Sequence, residues 1–302
     1  TTGANNVAVG SLALDANTTA SNNTAVGASS MGATTTGDQN VAMGAGSLAN
    51  NTTGTINVAI GYQALRDNTT ANNNTAVGNQ ALVLNTTGTQ NTAMGSFALD
   101  AVTTAGQNTA IGYGAGTAAT GDGGTYVGYN AGAAVTTAGL NTVVGSYAFD
   151  AATTAGESVA IGYAALTATT TGASNTAVGY ASLSANTTGT LNTAVGALSL
   201  DANTTANDGT AIGYAALSNN TTGTQNTAVG KHALVANTTG GSNVALGRHA
   251  LAANTTAGNN TGLGYNSLLS NTTGTKNTAV GALSLDATTT GSNNTSIGEQ
   301  SL

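Results

Sequence analysis

Residues 74–90 read N-T-A-V-G-N-Q-A-L-V-L-N-T-T-G-T-Q and are followed at once by N-T-A-M-G at 91–95. The second stretch is the first one starting again. Working outward in both directions, an aliphatic-glycine pair ends at Gly10, Gly27, Gly44, Gly61, Gly78 and Gly95, and so on to Gly298, eighteen times in all. Every interval is 17 residues except the 16 between Gly112 and Gly128. A fixed period of this size marks a repeat array in which each unit buries its apolar face on its neighbours. No composition shift interrupts it, so residues 1–302 read as a single array.

Seventeen residues are too few for a helical hairpin, which needs about twice that length. β-Branched residues stand three before the glycine, Thr in thirteen units and Val in five, and such residues favour strands. The spacing predicts one short strand per unit, T-A-V or V-A-I, a second extended segment around A-L, and polar corners between them. That is an all-β parallel β-solenoid of about eighteen coils. With coils stacked at ~4.8 Å it would form a rod roughly 85 Å long.

Each aligned column predicts an environment. The residue before the glycine is always Val, Ile, Met or Leu, which reads as a dry core column. Four after the glycine stands Leu in fourteen units, with Met31 and Phe149 as large substitutes and Gly116 and Gly132 leaving the column empty. That reads as a second core wall. Two before the glycine stands Ala in fourteen units. Strand alternation sets it on the face opposite the aliphatic column, where a small side chain suits close packing on another surface. Corner chemistry is equally regular: N-T-T is followed by Gly, or by Ala and then mostly Gly or Asn, which predicts a left-handed residue there. A second Asn, four before the glycine in fifteen units, predicts amide ladders from coil to coil.

Composition narrows function. There is no Cys, Pro or Trp, and Lys, Arg, Asp and Glu together make 5% of the chain. That leaves little material for acid-base catalysis or metal cages, so the expectation is a protein that is not an enzyme and needs no cofactor. Four basic residues against a net charge of −7 make nucleic acid an implausible partner. No apolar run approaches the ~18 residues of a membrane helix, so no membrane insertion is expected in this segment.

The unit N-T-A-V-G-Y-x-A-L-x-x-N-T-T-G resembles the repeats of bacterial and phage tail fibre domain proteins. More loosely it is similar to the head repeats of trimeric autotransporter adhesins, whose S-V-A-I-G units form a left-handed parallel β-roll with three chains around a common axis. The resemblance implies a homotrimer in an extracellular, cell-surface or virion fibre. It further implies that the aliphatic column lines each protomer's core. The alanines, among them Ala25, Ala59, Ala76, Ala93, Ala110, Ala177, Ala194, Ala228 and Ala279, would then face the trimer axis as the subunit interface. The period here is longer than the adhesin unit.

Thr1-Thr2-Gly3 falls mid-unit and Leu302 stops at the core Leu position, whereas solenoids carry atypical end units. The expectation is a segment of a longer fibre or a unit that stacks end to end or laterally.

Candidate sites follow from the columns. The corner sequons N-x-T at Asn17, Asn51, Asn68, Asn85, Asn186, Asn203, Asn220, Asn237, Asn254 and Asn271 are possible glycan attachment points; the alternative is that Asn and Thr serve turn geometry and ladders, with Thr hydroxyls as another attachment point. Seven tyrosines directly follow the glycine, Tyr62, Tyr113, Tyr129, Tyr163, Tyr180, Tyr214 and Tyr265. They form an interrupted column that suits surface contact with sugars or a neighbouring fibre, or simply a strand edge. His232 and His249 stand one coil apart, but Lys231 and Arg248 beside them disfavour a metal ion. The run T-G-D-G-G at 120–124 reads as the place where a one-residue deletion is absorbed. Three classes of function remain: the shaft of a surface fibre or adhesin, with a phage tail-fibre shaft as its variant; an ice-binding solenoid; and a solenoid glycan hydrolase or lyase, for which the sequence supplies no carboxylate cluster.

Overall fold

The computed structural model describes Thr2–Leu302; Thr1, part of the mid-unit opening noted above, lies outside the described residues. The described residues contain no helix and eighteen three-residue strands, one per repeat. The fold is a parallel β-solenoid, and its coils fall into two compact units, Thr1–Thr153 and Thr154–Leu302. The first holds β1 (Val7–Val9) through β9 (Thr142–Val144), the second β10 (Val159–Ile161) through β18 (Thr295–Ile297).

Within each unit every strand pairs in parallel with the next, without slippage. Thr75 lies beside Thr92, Ala76 beside Ala93 and Val77 beside Met94. The short coil keeps this register too: Thr109 meets Thr125 and Ala110 meets Tyr126. Repeat columns are therefore physical ladders. The glycine column enforces the pitch. Gly78 has φ +142°, and a Cβ placed on it would lie 2.5 Å from the Gly95 carbonyl oxygen, so both backbone and neighbour exclude any side chain.

The second extended segment expected around A-L is a turn. Its residues two and four after the glycine are left-handed, as at Gln80 and Leu82, both with φ 53°. Inter-coil hydrogen bonds continue through it all the same: Gln80 N donates to Tyr62 O (2.8 Å) and Leu82 N to Ala98 O (2.9 Å). Left-handed φ costs a non-glycine residue roughly 1–2 kcal/mol. Burial of the leucine, about 1.5–3 kcal/mol, offsets it, since Leu82 is fully buried. The left-handed corner residue is also displaced. It stands two residues beyond the predicted glycine or alanine, for example Gln90 with φ 61° rather than Gly88. Gly88 is small for a different reason: a Cβ there would lie 2.5 Å from Asn85 Oδ1.

The inside and outside of the strand are the reverse of the sequence expectation. Ala25, Ala59, Ala76, Ala93, Ala110, Ala177, Ala194, Ala228 and Ala279 are all 0% exposed and point into the coil. The aliphatic column points out, with Val9 57%, Met43 45%, Ile111 42% and Leu246 48% exposed. The physical reason is width. A 17-residue coil with one wall of leucines leaves room opposite for a small side chain in most coils, so the larger side chain takes the outer face of the sheet.

Candidate functional site

The ten sequon asparagines are structural. Nine of them are 0–1% exposed and the tenth, Asn17, is half-buried. The amide nitrogen that a glycan would need is already engaged. Asn68 Nδ2 donates to Asn51 Oδ1 (2.9 Å) and to the Ala71 carbonyl (3.1 Å). Asn17 Nδ2 donates to Ala20 O at 3.2 Å. In the second unit the ladder runs unbroken from Asn186 through Asn203, Asn220, Asn237 and Asn254 to Asn271. In the folded coil a glycan on any of the nine buried asparagines would displace its ladder hydrogen bonds, so there the amides serve corner geometry and the ladder. Asn85 Oδ1 and Asn271 Oδ1 have no partner; each ends a ladder, since Val102 and Thr288 occupy the next rung.

The other asparagine column gives the expected ladder. Asn40 N donates to Asn23 Oδ1 (2.8 Å) while Asn40 Nδ2 closes its own coil on the Gly54 carbonyl (2.9 Å). The first Thr of each N-T-T adds a hydroxyl ladder, Thr52 Oγ1 to Thr69 O at 3.0 Å and Thr69 Oγ1 to Thr86 O at 3.1 Å. The second Thr, as at Thr53, Thr70 and Thr87, is exposed.

The alanine interface is likewise corrected: side chains sealed inside one chain cannot meet a second subunit. What the outer sheet face presents instead is two columns side by side, Thr or Val three before the glycine and the aliphatic residue one before it. Thr75 with Val77, Thr92 with Met94 and Thr109 with Ile111 are successive rows. This exposed apolar column is the surface that sequence reasoning missed. A signal for it lay in the short coil. Tyr126 stands in the alanine column and is fully buried, and the residues that make room for its ring are Gly116, Gly124 and Gly132. Two of those belong to the leucine column, so the alanine and leucine columns share one interior. Burial pushes the Tyr126 phenol up to about 12, with Asn141 opposing.

Tyrosines after the glycine are exposed as expected, Tyr62 55%, Tyr163 51% and Tyr180 57%, and they associate. Tyr163 stacks on Tyr180 with ring centres 5.6 Å apart. In the first unit Phe97, Tyr113, Tyr129 and Tyr147 form a run of contacts at 5.3–5.7 Å. Phe97, Asp100, Tyr113, Thr117 and Asn130 line a hollow of about 440 Å³. Burial raises the Asp100 carboxyl above its ordinary range. Arg66 and Asp67 pair at 2.5 Å, which holds the Asp67 carboxyl below its ordinary range through the Arg66 hydrogen bond. Among the described residues no three His, Cys, Asp or Glu come together to hold a metal ion, and no helix is long and apolar enough to cross a membrane.

No protein-family model matches the chain, and no curated protein is significantly similar to it.

Proposed function

We propose that this chain is a non-enzymatic structural protein, the shaft of an extracellular surface fibre or adhesin, which assembles as a homotrimer through the outer face of its β-sheet. The observation that carries the reading is the aliphatic column, partly uncovered throughout and 40–57% exposed at Val9, Met43, Met94, Ile111, Ile212 and Leu246. Monomeric soluble proteins rarely leave a contiguous apolar patch uncovered, and a regular apolar column on a sheet face is suited to a second copy of itself. The tail-fibre resemblance supports the same reading, with a phage fibre shaft as its variant. Glycans, if carried, sit on the exposed second Thr of each corner. Intact mass above that of the polypeptide would reveal them.

The test is light scattering on the full chain and on a variant combining Ile60→Lys, Ile111→Lys, Ile161→Lys and Ile212→Lys. A trimer that the variant converts to monomer with unchanged circular dichroism supports the reading. A monomeric wild-type chain sinks it. A second reading, ice binding, is favoured by one observation: threonine and an aliphatic residue stand in paired columns on one sheet face at strand spacing, ~4.8 Å. Thermal hysteresis from the wild-type protein, abolished by Thr92→Lys with Thr193→Lys, would establish it.

A further inference from the structure

Of the four Lys and Arg and two His in the chain, Lys231, Arg248, His232 and His249 occupy two successive coils. Lys231 and Arg248 share the column after the glycine, and His232 and His249 share the next one. The imidazoles stack with centres 5.2 Å apart, His232 Nδ1 lying 3.3 Å from His249 Nε2. Tyr214 continues the stack, its ring 5.5 Å from that of His232, and Lys231 Nζ sits 5.6 Å over the same tyrosine ring.

This arrangement runs against the rest of the array. Asp15, Asp100, Asp150, Asp201 and Asp286 share one column and never fall in successive coils, so like charges are kept apart. Arg66 carries its own carboxylate partner, Asp67. Among the described residues neither Lys231 nor Arg248 forms an ion pair. The residues in the same columns of the flanking coils are Tyr214 and Ala215 before, Tyr265 and Asn266 after, none of them a carboxylate. His249 is held below the ordinary imidazole range by burial, then by Arg248, His232 and Lys231, with no acidic residue contributing. A chain of net charge −7 thus concentrates cations where nothing of its own neutralises them, beside an aromatic ring that is 49% exposed.

We propose that Lys231, Arg248, His232, His249 and Tyr214 form a binding site for a uronate residue of an acidic polysaccharide. The carboxylate accepts from the Lys231 ammonium and the Arg248 guanidinium, a ring N–H of the imidazole pair donates a further hydrogen bond, and the sugar packs against the exposed edge of Tyr214. The residues lie after the glycine, off the aliphatic column, so the site is independent of the trimer reading.

The experiment is an NMR titration of the full chain with trigalacturonate, with neutral maltotriose and sodium sulfate as comparison ligands. Expected are shifts of the His232, His249 and Tyr214 ring signals with trigalacturonate. Lys231→Gln with Arg248→Gln should weaken binding about tenfold or more, and His232→Gln with His249→Gln should weaken it less. The proposal is overturned if trigalacturonate gives no shifts, if sulfate gives the same shifts at the same concentration, or if the Lys231 and Arg248 variant binds as well as the wild type.

Discussion

At the scale of single residues, the interior combines hydrogen-bonded amides with apolar side chains, and the two respond differently to substitution. Asn220 occupies a middle rung: it donates to Asn203 Oδ1 and the Gly223 carbonyl and accepts from Asn237. Asn220→Ala orphans several buried groups, each costing about 1–3 kcal/mol. Asn271→Ala, at the end of the same ladder where Oδ1 already lacks a partner, should lower the denaturation midpoint less; comparative urea melts of the two variants check this. Tyr126 supplies a pH test. Its phenol, raised by burial to about 12, binds its proton more tightly folded than unfolded. The stability it contributes is therefore complete below the unfolded value near ~10 and lost as pH rises towards about 12. Ultraviolet titration should show a tyrosinate step near 12 that Tyr126→Phe removes.

At the scale of a coil, the repeat was legible in the sequence to the residue, and so were the strand at each T-A-V, the parallel register and the Asn ladders. The direction of the strand's faces was not. Alternation establishes that Ala76 and Val77 lie on opposite sides but not which side is inside. The usual rule that the larger apolar residue is buried fails where the coil is too narrow. The sequon asparagines misled for a related reason: N-x-T reads as a surface motif, yet an amide that must close a corner carbonyl is drawn inward. The short coil offers the direct test of shared interior space. Gly132→Leu should be severely destabilising because its side chain would enter the Tyr126 ring. Combining it with Gly116→Leu and Tyr126→Ala restores the ordinary coil, since leucine already tolerates the left-handed backbone there, as Leu65 (φ 52°) and Leu99 (φ 51°) do. Thermal melts should show the triple variant above the single one.

At the scale of the whole molecule, the separation of inner and outer columns divides stability from the proposed association. Ala177→Leu overpacks a closed interior, at a cost of about 1–3 kcal/mol or more, and should lower the melting temperature whatever the assembly state. Substitutions on the outer aliphatic column should change association and leave the melting of the isolated chain nearly alone. Light scattering and calorimetry on the same samples separate the two effects. Fold class could be read from periodicity because the columns are so uniform. The clustering of Lys231, His232, Arg248 and His249 could be read in the same way, whereas the contacts of Tyr214 with His232 and Lys231 needed the side-chain geometry.

The glycine spine carries a consequence for how such a chain changes length. Because within each unit one glycine rests directly on the next, as Gly78 does on Gly95, a shift of a few residues between coils breaks contacts throughout that unit, while the loss or gain of one whole repeat reproduces every contact with a new neighbour. Recombination between near-identical repeats would thus lengthen or shorten the protein in whole-coil steps, without an intermediate that has to be repaired.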